Sequence, residues 1–239
     1  MEPRSGAYAS GRVDRERGKR VCSHRDHRAR VISGIVLAAG SGIRFGRTKP
    51  LALRDGKPLA QYAVDALTSA GVDELVVVTG HDADAVEAGL RLPPQGRFVR
   101  IPDHASGQSS SLAAGLHALS DDTEGAVVLQ GDQPGVTDAE IRALIDAFTS
   151  SRSRIVRIAY EDGPGPALLS REVQAEAGHL HGDTGAPALM ASHPDWVEEV
   201  TVPFRAPRDV DRPEDLPPDR SVPAEPHHRP LVRPLETEP

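Results

Sequence analysis

Between residues 32 and 216, short apolar runs rich in β-branched residues alternate with longer stretches of helical period, and this constrains the fold more than any other feature. Residues 32–39, 75–79 and 126–130 are nearly continuous apolar runs, the pattern of strands buried on both faces rather than on one. Between and after them, residues 58–70, 82–92, 109–119 and 137–148 carry helical period, with Pro58 near a first turn and Asp82 and Thr137 placed as caps. A short strand is predicted at 98–101. The second half is less regular: strands at 155–160 and 167–170 flank the turn Glu161-Asp162-Gly163-Pro164, a helix covers 172–180, and a late strand covers 197–202. The fold class is α/β, a doubly wound, mostly parallel sheet with helices on both faces.

Charge and composition set the limits of this domain. Residues 1–30 hold nine Lys/Arg against four Asp/Glu, a net of +5, without amphipathic period, and residues 217–239 are rich in Pro, Arg and Glu without any period. Both read as disordered tails around one domain at 31–216. The chain as a whole carries a net charge of -7, so everything after residue 30 carries -12, which argues against nucleic acid as the main partner. The single cysteine, Cys22, excludes a disulfide framework and a cysteine-based zinc site. No stretch approaches the roughly 20 apolar residues of a membrane span, nor does the N-terminus carry a secretory h-region. A cytoplasmic protein with no membrane partner is expected.

The strongest chemical signal follows the first strand: Leu37-Ala38-Ala39-Gly40-Ser41-Gly42-Ile43-Arg44-Phe45-Gly46-Arg47-Thr48-Lys49. A glycine-rich loop at a strand end can form a nest of backbone N–H groups around phosphate oxygens, with Arg44 and Lys49 neutralising the remaining charge. Spacing excludes two familiar alternatives. A P-loop needs Gly-Lys-Ser/Thr in succession, whereas Lys49 lies between Thr48 and Pro50; a dinucleotide fingerprint needs glycine where Phe45 stands. The chain has three lysines, at 19, 49 and 57, against twenty-five arginines, so a lysine in this loop points to a need for a compact ammonium.

The second constellation is Gln130-Gly131-Asp132-Gln133-Pro134, in which a buried strand delivers a carboxylate to its C-terminal end, where open α/β sheets place ligands. Mg²⁺ takes one or two carboxylates, waters and substrate phosphates, so a further acid should approach Asp132, with Asp209 and Asp211 as the candidates. The same residues read equally as a turn aspartate and, for Asp211, the N-cap of a terminal helix. A third element, Ser106-Gly107-Gln108-Ser109-Ser110-Ser111, opens a helix whose free N–H groups suit a base edge or phosphate, or simply a cap. The fourth, His181-Gly182-Asp183-Thr184-Gly185-Ala186, is a loop entering a helix and a candidate for orienting an acceptor. His179 and His181 read as surface residues.

Taken in order, these motifs resemble the MobA-like NTP transferases, and most closely the molybdenum cofactor cytidylyltransferases, whose signature is Leu-Ala-Ala-Gly-x-x-x-Arg-(Met/Phe)-Gly-x-x-Lys. The similarity runs from about residue 34 to 216 and includes Gly107 to Leu112, Asp132-Gln133-Pro134, Gly182-Asp183-x-Gly185-Ala186 and Asp209-Val210-Asp211-x-Pro213-Glu214-Asp215-Leu216. The resemblance implies a Rossmann-like domain of the nucleotide-diphospho-sugar transferase type. It implies Asp132 and Asp211 as Mg²⁺ ligands and Arg44 and Lys49 as catalytic triphosphate-binding residues. Nucleotide contacts would come from Leu37, Ala38, Ala39, Gly40, Ser41, Gly42, Gly107, Gln108, Ser109 and Asp132, and acceptor contacts from Gly182 and Asp183. Relatives that use CTP tend to read Leu-Ala-Ala-Gly, as here, which favours CTP as the donor and a phosphorylated acceptor, with molybdopterin the family precedent. Two positions depart from the pattern: Pro187 replaces an arginine often found after Gly-Asp-x-Gly-Ala, and Gly165 precedes Pro166 where relatives often carry a polar residue. A molybdoenzyme or maturation partner is a further candidate partner. Guanylyl transfer, nicotinamide-dependent reduction and non-catalytic nucleotide binding are the alternatives on the same fold.

Overall fold

The computed structural model describes residues 30–40, 45, 48–102, 108–151, 153–177 and 186–216. Strand β1 (Val31–Ala38) is central, and its side chains divide between two layers. Ile32, Val36 and Ala38 enter one apolar cluster and Ile35 and Leu37 the other, the period-2 alternation of a strand covered on both faces. Helices α1 (Leu59–Ala70), α2 (Ala83–Gly89) and α4 (Asp138–Ser150) pack on the first face. Helices α3 (Gln108–His117), α5 (Arg171–Ala177) and α6 (Ala186–Ser192) cover the second.

The sheet has seven strands in the order β5-β4-β1-β6-β8-β7-β9, with β4 at Glu74–Thr79, β5 at Gly96–Arg100, β6 at Thr123–Gln130, β7 at Ile155–Tyr160, β8 at Gly163–Ser170 and β9 at Val197–Thr201. Strands β5, β4, β1 and β6 are mutually parallel, β9 is parallel to β7, and β8 alone runs antiparallel to both its neighbours. The doubly wound, mostly parallel sheet read from the sequence is present. A two-stranded hairpin, β2 (Leu53–Arg54) with β3 (Lys57–Pro58), precedes α1. Its turn residues Asp55 and Gly56 both have positive φ, 51° and 75°, the Asp-Gly turn chemistry of a two-residue hairpin loop.

Local chemistry fixes the helix ends. Helix α1 stops at Gly71, whose φ of 85° is left-handed and lets its N–H reach the carbonyls of Leu67 and Thr68. Helix α4 opens with a capping box: Thr137 accepts from the Glu140 N–H while the Glu140 carboxylate accepts from the Thr137 N–H. The Glu140 carboxylate, buried, also accepts from the Tyr160 hydroxyl. Helix α3 comes so close to the sheet that a Cβ at Gly115 would lie 2.8 Å from Ile35 Cγ2 and 3.1 Å from Val78 Cγ2.

Polar residues lace the N-terminal ends of the strands. The Glu74 carboxylate accepts from Ser33 Oγ at 2.9 Å, Ser120 N at 3.1 Å and Arg97 Nη1 at 2.6 Å, and Ser33 Oγ also meets Thr123 Oγ1 at 2.8 Å. Burial alone would raise this carboxyl, but the Ser120 N–H, Arg97 and Ser33 outweigh it and hold it below the usual glutamate range. The opposite, C-terminal ends of β1, β4 and β6 are where the motif residues collect.

After β9 the chain returns across that C-terminal rim. Val202 N donates to Ala159 O, Glu161 N to Phe204 O and Ala206 N to Asp162 Oδ1. Pro207 then packs on Gly135, Val210 N donates to Asp132 O, and the buried Val210 side chain joins Phe45, Ala52 and Leu59.

Candidate active site

Lys49 stands at the start of a 3-10 turn (Lys49–Leu51) whose second residue is Pro50. Its backbone is held by Leu51 N on Thr48 O and Ala52 N on Lys49 O, both 3.0 Å, and by Thr48 Oγ1, which donates to Asp82 Oδ2. Asp82 stands at the N-cap position of α2 as the sequence pattern suggests, but its side chain makes no capping hydrogen bond. Its backbone is left-handed at φ 52°, and its carboxylate turns toward Thr48 instead.

From this anchored base the Lys49 side chain reaches two carboxylates. Nζ donates to Asp132 Oδ2 at 2.7 Å and to Asp211 Oδ1 at 3.0 Å. Asp132 follows directly from β6, where Gly131 N still pairs with Leu37 O at 2.9 Å, and Asp211 arrives on the return segment. The Lys49 side chain is 16% exposed, that of Asp132 30% and that of Asp211 69%, so the pair opens toward solvent on the Asp211 side. Burial pulls the Lys49 ammonium down, yet its hydrogen bonds and charge attraction to Asp132, and then to Asp211, raise it above the usual lysine value. It stays charged.

Of the two aspartates open as the second acid, the structure brings Asp211 to Lys49. Asp209 is instead held by Gln133, whose Nε2 donates to Asp209 Oδ1 at 3.0 Å. Burial pushes the Asp209 carboxyl up against that hydrogen bond, and the charges of Asp132 and Asp211 add to the rise while Lys49 opposes it. Nor does Asp211 act as a side-chain N-cap. The turn at Pro213–Asp215 is closed by Asp215, whose Oδ2 accepts from the N–H groups of Asp211 and Arg212.

Two carboxylates converge here on one positive nitrogen, and the ammonium marks where a positive charge is held. Among the described residues no group of three or more His, Cys, Asp or Glu is placed to hold a metal. Among the described residues Asp132 and Asp211 are the acids on Lys49, and a divalent cation there could draw its remaining ligands from water and substrate phosphate. Of the nucleotide residues named from the sequence, Leu37 and Ala38 end β1, Ala39 is buried with its carbonyl accepting from His81 N at 3.3 Å, and Gly40 is exposed. Ser109 lies buried in the first turn of α3, and Gln108 begins that helix. Ser41, Gly42, Arg44, Gly107, Gly182 and Asp183 lie outside the described residues, as does the Gln108 side chain. Sequence reading missed two braces on this site, Thr48 with Asp82 and Gln133 with Asp209. Both join residues far apart in the chain. No helix among the described residues is long and apolar enough to cross a membrane.

Comparison with known proteins identifies relatives of this fold. Rv0371c of Mycobacterium tuberculosis H37Rv aligns with a TM-score of 0.71 at 34% identity, covering 78% of this chain and 96% of that one. A structure of Rv0371c in complex with manganese gives 0.67 and 33%, covering 77% and 95%. Nicotine blue oxidoreductase of Paenarthrobacter nicotinovorans is 32% identical over 179 residues, 71% of this chain and 85% of that protein. The bifunctional protein GlmU of Methylibium petroleiphilum is 30% identical over 156 residues, 62% of this chain, which spans only 33% of GlmU. The family model for the MobA-like NTP transferase domain matches residues 34–197. The chain belongs to the MobA-like NTP transferase family and carries a nucleotidyltransferase domain.

Proposed function

We propose that this protein transfers a nucleotidyl group, CMP from CTP, to a phosphorylated small molecule, molybdopterin by preference, with release of pyrophosphate and dependence on Mg²⁺. The observation that carries this reading is the convergence of Asp132 and Asp211 on Lys49 at the C-terminal rim of the sheet. It puts acid and base where an open α/β sheet binds its ligand, beside the strand that leads into the glycine-rich loop. A divalent cation held by Asp132 and Asp211 would neutralise charge on the triphosphate.

The acceptor phosphate oxygen attacks the α-phosphorus as the bond from that phosphorus to the oxygen bridging it to the β-phosphate breaks, and pyrophosphate leaves with the bonding pair. A phosphate monoester is already an anionic nucleophile, so the reaction needs no dedicated base. The chain's part is positioning and electrostatics: Lys49, with Arg44 from the loop, meets the negative charge that builds on the departing pyrophosphate. Pyrophosphate release with Mg²⁺, each of the four nucleoside triphosphates, and molybdopterin present or absent tests this. Release that requires both CTP and molybdopterin supports it, and silence with all four nucleotides overturns it.

A second reading is favoured by the likeness to nicotine blue oxidoreductase over most of that protein's length. On that reading the domain binds a reduced nicotinamide in place of a triphosphate. Oxidation of NADH or NADPH by the purified chain, with no pyrophosphate release, distinguishes it.

A further inference from the structure

The geometry points to Lys49 as an intramolecular competitor of the divalent cation: its ammonium and the cation share the same two carboxylate oxygens, so cation and nucleotide bind as a linked pair. This rests on the reading of Asp132 and Asp211 as cation ligands given above. Nζ lies 2.7 Å from Asp132 Oδ2 and 3.0 Å from Asp211 Oδ1. An ion drawn to these same two oxygens would crowd the ammonium that already holds them.

Charge makes the same point. A divalent cation added beside an unmoved ammonium sets two positive centres against each other within a few ångströms, and of the neighbouring acids Asp209 feels both aspartates and Lys49 but is tied to Gln133 rather than to the ammonium. That like-charge proximity is unfavourable unless the ammonium leaves or more negative charge arrives. A triphosphate supplies that charge and gives the ammonium another partner.

Lys49 is built for such an exchange. Its backbone is fixed by the turn hydrogen bonds of Leu51 and Ala52, by Pro50, and by Thr48 on Asp82. The movement is therefore confined to the flexible four-carbon stem of the lysine, with no change of the backbone at 48–52. The backbones that carry the two carboxylates are restrained as well, Asp132 by Val210 N on its carbonyl and Asp211 by its N–H on Asp215. A mobile cationic arm between two anchored acids links metal and nucleotide affinity, and by thermodynamic reciprocity each ligand tightens the other.

Mn²⁺ binding by the purified full chain, followed by the spectrum of the free ion, tests this apart from turnover. Wild type, Lys49→Met, Lys49→Arg, Asp132→Asn and Lys49→Met/Asp132→Asn are titrated with MnCl₂ alone and with the non-hydrolysable α,β-methylene analogue of CTP. The expected result is weak Mn²⁺ binding by wild type and Lys49→Arg, at least about tenfold tighter binding by Lys49→Met without nucleotide, and loss of the gain in the double variant. The analogue should tighten Mn²⁺ binding to wild type by more than it does for Lys49→Met. Equal Mn²⁺ affinity of wild type and Lys49→Met, with Asp132→Asn weakening both, overturns the competition while leaving the two acids as cation ligands. Binding indifferent to Asp132→Asn overturns the ligand assignment itself. Should Lys49→Met fail to fold, Mn²⁺ affinity of wild type with and without the analogue decides, and equal values overturn the linkage.

Discussion

Gln133 Nε2 donates to Asp209 Oδ1 at 3.0 Å, joining the loop after β6 to the return segment two residues before Asp211. With Val210 N on Asp132 O between them, the two acids are registered by one side-chain and one backbone hydrogen bond. Gln133→Ala removes the side-chain half. The Mg²⁺ concentration for half-maximal pyrophosphate release is expected to rise about tenfold, with the melting temperature lowered by only a few degrees, as befits a lost hydrogen bond of about 1 kcal/mol. A cation titration of activity beside a thermal melt checks it; a stability loss with an unchanged cation requirement makes Gln133 purely structural.

Lys49→Ala should cost about 100-fold or more in kcat, the scale for deleting one charge-stabilising group, with little loss of folding stability. Parallel loss of kcat and of unfolding free energy would remove Lys49 from the chemistry. Steady-state kinetics and urea unfolding on one preparation give both numbers.

The Glu74 cluster predicts an acid limb in the stability curve. Its carboxyl lies below the usual value of 4.5, so the folded form binds a proton less readily than the unfolded chain. The contribution is fully present above that unfolded value and is lost as pH falls through the lower folded one. Glu74→Gln should flatten the melting temperature against pH in that acid window, measured in buffers from neutral downward, and leave the slope above it unchanged.

Tyr160→Phe deletes the hydroxyl that donates to the buried Glu140 carboxylate and leaves one oxygen of Glu140 without that donor. The cost expected is about 1–3 kcal/mol of unfolding free energy. Catalysis by the protein that remains folded should be unchanged, because the network acts on the start of α4 and touches no proposed ligand. Denaturant unfolding and kcat at low temperature separate the two.

At Gly115 two effects compete. Alanine improves helix propensity by about 1 kcal/mol, whereas overpacking costs about 1–3 kcal/mol. The added Cβ would meet branched methyls of Ile35 and Val78, which are fully buried and have nowhere to retreat. Gly115→Ala should therefore destabilise, and a gain in chemical unfolding midpoint would show that α3 can lift from the sheet.

Much of the fold is legible along the chain because its signals are local. The apolar runs at β1, β4 and β6 and the Thr137 cap lie where their residues place them. The hairpin at residues 53–58 escapes period-2 reading because its strands are two residues long, although its Asp-Gly pair carries the turn. Strand β8 begins at Gly163, earlier than Ala167, because Pro164 and Pro166 lie where it pairs with β7 alone; pairing with β6 begins only at Ala167. In the site, motif order marks Asp132 and two aspartates downstream. Which of the two meets Lys49 is a long-range matter, set by the burial of Val210 and by Gln133, and no local spacing encodes it.

The return segment also gives the site a history. A chain leaving the ribosome can pair every strand of its sheet before residue 211 emerges, so the scaffold precedes the second acid and ligand affinity comes last. Conversely, a single protease cut between residues 202 and 209 would part Asp211 from its tether at β9 while the sheet stands. Loss of nucleotide binding without loss of secondary structure is the signature such a nick would leave.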